Sequence, residues 1–228
     1  VLYDQAQAAG MEPIPIAIAS TYAAFPGAAE IAGPPPRKKI EYGTAAFVDE
    51  AGYAVTTQML VDGCALVTLA GFGPADIVAT DKAANLALLR VYGAKVAPVA
   101  LAAGAVPDAV SIVGVADPAA QAGGGAISTA RAKVTVTAGA ARPALDPAPP
   151  VGFDGAAALD ASGRLAGLVG LPQAVVAGTP GAAPSPTLVP AKAVGDFLTK
   201  HAIVGADSTR IGAEAQRPAV TRLICVRK

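Results

Sequence analysis

Few side chains in this sequence of 228 residues are equipped for chemistry. His201 is the only histidine, so any imidazole base must be that residue. It follows an apolar run with helical spacing (Val194, Phe197, Leu198), and a lone histidine at a helix end reads as a surface or capping group. Ser20, Ser111, Ser128, Ser162, Ser185 and Ser208 fall in stretches that read as loops or strands, and none stands in a glycine-framed turn. Two cysteines, Cys64 and Cys225, with one histidine cannot complete a four-ligand zinc site without carboxylate help. Carboxylate pairs such as Asp146 and Asp154 have the right chemistry for acid–base work, but their spacing does not single them out. Gly123-Gly124-Gly125 reads as a loop hinge, without the strand–turn–helix setting of a phosphate cradle. No cofactor is implied. One local shape remains: Gly152-Phe153-Asp154-Gly155, a glycine-framed turn that leads into a short apolar strand.

The elements that must position such a turn are strands. The chain is 53% hydrophobic and 15% charged, too apolar for disorder throughout. Its 25 glycines and 20 prolines interrupt it about every ten residues, which suits many short strands better than long helices. Thr44 to Val48 and Tyr53 to Thr57 flank the hairpin turn Asp49-Glu50-Ala51-Gly52. Strands are expected at 64–69, 75–80, 86–91, 109–116 and 126–137, with a Pro/Ala loop at 139–150. Two strands then flank the polar hairpin Asp160-Ala161-Ser162-Gly163-Arg164, and another Gly/Pro/Ala loop spans 177–186. Thr187 to Pro190 leads into the one expected long helix, Ala191 to His201. Strands in two sets with no αβ alternation predict a pair of small antiparallel barrels.

Residues 1–42 are different in character, with a short helical pattern at Leu2 to Ala9, an apolar stretch at Ile14 to Ile18 and the run Pro34-Pro35-Pro36. They read as an extended arm that lies on the domain or reaches a protein partner or second copy. Lys plus Arg and Asp plus Glu both number 17, so the chain carries no electrostatic footprint for nucleic acid. The basic run Arg37-Lys38-Lys39 reads as a solvated linker. No apolar run is long enough for a membrane-spanning helix, and the first residues lack the pattern of a signal peptide.

Three stretches, in order, resemble the trypsin-like serine proteases, especially the bacterial periplasmic stress proteases. GTAAFVDEAGYAVTTQMLVDGC (43–64) is similar to the hairpin that ends in Thr-Asn-x-His-Val-Val. ADIVATDKAANLALLRV (75–91) is similar to the stretch in which Asp-Leu-Ala-Leu-Leu supplies an aspartate. GFDGAAALDASGRLAGLVG (152–170) is similar to Gly-Asn-Ser-Gly-Gly-Pro-Leu and its following hairpin. VAPVALAAGAVPDAVSIVGVADP (96–118) and TLVPAKAVGDFL (187–198) add weaker matches to the entry of a second barrel and to a closing strand and helix. The resemblance implies an all-β fold of two antiparallel six-stranded barrels with a C-terminal helix, preceded by the arm. The barrels are expected at about 43–101 and 105–201, followed by a C-terminal extension, 202–228, with a closing strand in RPAVTRLICVRK.

The same resemblance removes the chemistry. Acyl transfer of this type needs a hydroxyl nucleophile, an imidazole base and an orienting carboxylate. The matching positions hold Asp154, Met59 and Asn85. A thioether accepts no proton, and an amide cannot stabilise an imidazolium. Asp154 would also set an anion beside the amides that receive a developing oxyanion, or occupy those donors itself. The expectation is therefore a catalytically inactive member that serves as a structural or protein-binding module within a larger assembly. The alternatives are a hydrolase with a non-standard catalytic set and a peptide-binding module that uses the cleft between barrels.

Cys64 and Cys225 either form the only possible intramolecular bridge or remain buried thiols. The resembled family is largely exported, which favours the bridge and a periplasmic or extracellular setting.

Overall fold

The computed structural model describes residues 39–117, 127–172, 185–207 and 210–227. Most of the expected arm, Arg37 and Lys38 of the basic run, Gly123-Gly124-Gly125, the greater part of the 177–186 loop, Ser20 and Ser208 lie outside these residues.

Twelve strands build two closed antiparallel barrels. The first contains β1 (Ile40–Phe47), β2 (Tyr53–Thr56), β3 (Cys64–Leu69), β4 (Gly73–Asp81), β5 (Leu86–Arg90) and β12 (Val220–Arg227). The second contains β6 (Ala109–Val115), β7 (Ile127–Thr135), β8 (Ala144–Asp146), β9 (Ala157–Leu159), β10 (Leu165–Gly170) and β11 (Thr187–Pro190). The short helix α1 (Gln58–Val61) follows β2, and α2 (Ala191–Lys200) follows β11. Among the described residues, two 3-10 turns complete the regular structure, Val151–Phe153 before β9 and Glu214–Ala219 before β12.

The first barrel is discontinuous in sequence. It begins at Ile40, inside the expected arm, and takes its sixth strand from the expected C-terminal extension. β12 lies between β1 and β3, with Ile40 opposite Val226 and Leu69 opposite Leu223. Around the second barrel the strands run first-second-third-sixth-fifth-fourth: β6, β7, β8, β11, β10, β9. Around the first they run β12, β1, β2, β5, β4, β3. The two orders are identical when the last strand of the chain is counted as the first strand of its barrel. Cys225 of β12 is disulfide-bonded to Cys64 at the start of β3, with Cα atoms 5.5 Å apart, so the late strand is covalently fixed in this position.

Side-chain alternation explains why so much of the sequence is apolar on consecutive residues. In β5, Ala87 and Leu89 point into the first barrel, whereas Leu86 and Leu88 face the seam between barrels. In and just before β9, Ala156 and Ala158 fill the second barrel, whereas Ala157 and Leu159 face the seam. Strands buried on both faces lose the polar alternation of a half-exposed sheet. Alanine keeps the barrel interior narrow enough to close. Val194, Phe197 and Leu198 of α2 pack on the same seam. β8 falls inside the segment expected to be a loop; it is three residues long with only Leu145 buried, too short to leave a periodic pattern.

Candidate functional site

The two segments of interest occupy corresponding places in the two barrels. α1, with Met59, connects the third and fourth strands of the first barrel when β12 is counted first; Val151–Phe153 and Asp154 connect the third and fourth strands of the second. The barrels therefore set these connections opposite each other across the seam.

The turn at 152–155 is fastened to β1. Thr44 Oγ1 donates to the Gly152 carbonyl at 2.8 Å, and the Thr44 amide donates to the Asp154 carbonyl at 2.8 Å. Gly155 has φ +77°, and a Cβ there would lie 2.2 Å from the Thr44 carbonyl oxygen and 2.3 Å from Thr56 Oγ1. Only glycine fits this position. The Asp154 amide donates to the Val151 carbonyl at 3.3 Å, closing the 3-10 turn, so this donor is used within the turn itself.

Asp154 Oδ1 accepts two hydrogen bonds, from Thr57 Oγ1 at 3.2 Å and from the Leu171 amide at 3.2 Å. One donor belongs to each barrel, so the carboxylate bridges the seam instead of standing free in a loop. Burial pushes the Asp154 carboxyl up to about 6, against the lowering effect of the Leu171, Thr57 and Gly155 donors; Glu41 adds a smaller upward push. Thr57 precedes α1 at the usual capping position, yet its hydroxyl does not cap the helix. Its donation to Asp154 takes precedence.

Asn85, between β4 and β5, is buried and left-handed with φ +54°, a conformation asparagine tolerates better than most residues. Its Oδ1 accepts the Met59 amide at 3.1 Å. A Cβ added at Gly170 would lie 3.7 Å from Asn85 Nδ2, which places Asn85 against β10 as well as α1. Met59, Asn85 and Asp154 are thus gathered at one place. They supply a thioether, an amide engaged with backbone and a carboxylate engaged across the seam. None is a hydroxyl nucleophile or an imidazole.

The remaining sequence candidates are elsewhere. His201 caps the end of α2 with its ring edge-on to Phe197 at 4.9 Å, away from the residues that line the cleft. Ser111 and Ser128 are in β6 and β7, Ser162 is at the tip of the 160–164 hairpin and Ser185 precedes β11; none lines the cleft. Asp146 ends β8 and is not among the residues that line the cleft with Asp154.

Above this place opens a cleft of about 860 Å³. Met59, Leu60, Asp154 and Leu171 line it together with Ile40, Val151, Pro149, Pro172 and Pro186. Glu41 lies on one side, ion-paired to Arg227 and, at 2.6 Å, to Lys39. Arg227 Nη2 also donates to the Met59 carbonyl at 3.2 Å. Sequence reasoning missed Thr57, Glu41 and Arg227. Their importance comes from contacts between distant segments, for which only the possible cap at Thr57 leaves a local trace.

A known structure shares this pair of barrels. The crystal structure of the serine endoprotease from Yersinia pestis matches with a TM-score of 0.54 and 15% identity over 71% of this chain. The fold is trypsin-like. The match covers 57% of that protease, so this chain corresponds to little more than half of it. No family model matches the sequence, and no curated protein matches it. In this trypsin-like fold the cleft between barrels is bordered by the three positions expected from the sequence, Met59, Asn85 and Asp154, with Met59 and Asp154 lining it directly.

Proposed function

We propose that this trypsin-like domain is not an enzyme and that it binds polypeptide in the cleft between its barrels. The observation that carries this reading is an open cleft of about 860 Å³ whose lining holds Met59 and Asp154 where a base and a nucleophile would be needed. Asn85 uses its acceptor on the Met59 backbone, and Asp154 uses Oδ1 on Thr57 and Leu171. These bonds keep the walls of the cleft in register while offering no proton relay. The size of the cavity and its proline-rich, partly apolar walls suit a binding site. The Cys64–Cys225 disulfide supports a periplasmic or extracellular setting. Among the described residues, no helix is long and apolar enough to cross a membrane.

A second reading, a hydrolase built on Asp154, draws on one observation: a carboxyl with a pKa of about 6 in a cleft is tuned for general base work. It is the weaker reading, because the neighbouring Glu41 is ion-paired to Arg227 and Lys39 and, among the described residues, no serine, threonine, cysteine or histidine lines the cleft. A screen of fluorogenic peptides and esters separates the two. No turnover is expected from the wild type; turnover abolished by Asp154→Ala would overturn the non-catalytic reading.

A further inference from the structure

β7 runs on past the end of its neighbour in the second barrel. The Val134 amide donates to the Asp108 carbonyl at 2.8 Å, which fixes the alternation along the strand. Ser128, Ala130, Ala132 and Val134 turn their main-chain groups toward β6; Ile127, Thr129, Arg131, Lys133 and Thr135 turn theirs the other way. On that other side β8 pairs only with Lys133, Val134 and Thr135. Beyond Asp146 the chain leaves β7, since Ala148 and Pro149 line the cleft and no residue of β7 does. The Ile127 carbonyl is taken by Arg217 Nη2. Among the described residues, the N–H and C=O groups of Thr129 and Arg131 therefore face no partner strand.

An edge of this kind is a template for another strand, and its side chains decide which one. Thr129, Arg131 and Lys133 are exposed on the outer face of β7. Lys133 has Asp146 opposite it on β8. Thr129 Oγ1 donates at 2.8 Å to Glu214, which is itself ion-paired to Arg217. Arg131 has Ser111 opposite it on β6, and neither a hydrogen bond nor an ion pair among the described residues. The neighbouring loop residues 118–126 and 173–184 include no acidic side chain that could answer it. A second copy paired antiparallel on this edge would bring both Arg131 and both Lys133 side chains to one face, and like charges oppose that pairing.

We propose that the edge of β7 at residues 129–131 is a second interaction surface, which takes an extended acidic segment of a partner protein as an added antiparallel strand with a glutamate or aspartate beside Arg131. This goes beyond the reading of the cleft and does not depend on it. The main chain of Thr129 and Arg131 supplies affinity without regard to sequence, and the cross-strand neighbour of Arg131 supplies the selection. The added strand is short, because β8 occupies the position opposite Lys133.

The test is hydrogen exchange followed residue by residue by NMR, on the wild type, Arg131→Glu and the cleft-filling Met59→Trp. The probes are synthetic peptides of about seven residues, a usual strand length. One alternates valine with glutamate, one alternates valine with lysine, and one is the glutamate peptide with its main-chain amides methylated so that they cannot donate. Arg131→Glu changes an exposed side chain, and its fold is checked by circular dichroism and by the intact disulfide. In the free protein the Thr129 and Arg131 amides are expected to exchange faster than those of Ala130 and Ala132. The glutamate peptide should slow both and bind the wild type roughly fivefold more tightly than Arg131→Glu, with the order reversed for the lysine peptide. The methylated peptide should not bind, and Met59→Trp should behave as the wild type does. If the Thr129 and Arg131 amides of the free protein are already as slow as those of Ala130 and Ala132, the edge is occupied and the inference is overturned. Binding indifferent to peptide charge, equal binding of the methylated peptide, binding lost in Met59→Trp, or no binding at all overturns it equally. The reading of the cleft stands or falls by its own experiment.

Discussion

Thr57 and Asp154 are 97 residues apart and belong to connections of different barrels, yet the Thr57 hydroxyl donates to Asp154 Oδ1 at 3.2 Å. The bond ties the segment that carries Met59 to the turn at 152–155. It also means that the carboxylate at the heart of the cleft is part of the joint between barrels. Changing that group is therefore expected to alter stability as well as the proposed binding.

Asp154 makes stability depend on pH in an unusual direction for an aspartate. Its folded pKa of about 6 lies above the unfolded value of 3.8, so the folded state holds the proton more tightly. Between these values the folded state binds more protons than the unfolded one, and stability falls as pH rises. The contribution is absent below about pH 4 and reaches its full destabilising size, at most about 3 kcal/mol, above about pH 6. Asp154→Asn should therefore be as stable as the wild type, or more so, at pH 7.5, with any advantage shrinking toward pH 4; urea unfolding at the two pH values measures this. Thr57→Val should lower stability by about 1–3 kcal/mol through loss of a donor to a desolvated carboxylate.

Gly155→Ala tests the attachment of the turn to β1. Its φ of +77° disfavours a side chain, and the added Cβ would meet Thr44 and Thr56 atoms at 2.2 and 2.3 Å. The combined strain and overpacking should cost about 3 kcal/mol or more. Thermal unfolding should show a lower midpoint, and the turn should lose amide protection before the barrels do.

The Cys64–Cys225 bridge closes a loop with a sequence separation of 161. Chain-entropy reasoning gives such a closure an upper value of about 5 kcal/mol, and measured bridges commonly give about 2–4 kcal/mol. The double substitution Cys64→Ala with Cys225→Ala should lower stability within that range. Hydrogen exchange should rise first in Val220–Arg227, because β12 is the strand the bridge holds.

The fold was largely legible because short apolar runs separated by glycine and proline have few other uses. Leu86 to Val91 reads as a strand for the same reason that it is buried on both faces. β8 was not legible, since a single buried Leu145 between polar and proline residues carries no period. The strand character of the C-terminal stretch could be seen, but its place between β1 and β3 depends on pairings such as Arg227 with Cys64, which no local pattern encodes. Likewise Met59, Asn85 and Asp154 could be singled out by resemblance to known motifs. The partners that define their surroundings, Thr57 for Asp154 and the Glu41–Arg227 pair beside Met59, come from tertiary contacts that span most of the chain.

The most direct measurement is to mix the wild type with a proteome-derived peptide library, isolate the protein by gel filtration and sequence both retained and unbound peptides by mass spectrometry. The expected result is retention of intact peptides, lost in Met59→Trp, with no new termini anywhere in the mixture. New termini produced by the wild type and absent with Asp154→Ala, or a wild type that retains no more peptide than Met59→Trp, would contradict a cleft that binds polypeptide without cutting it.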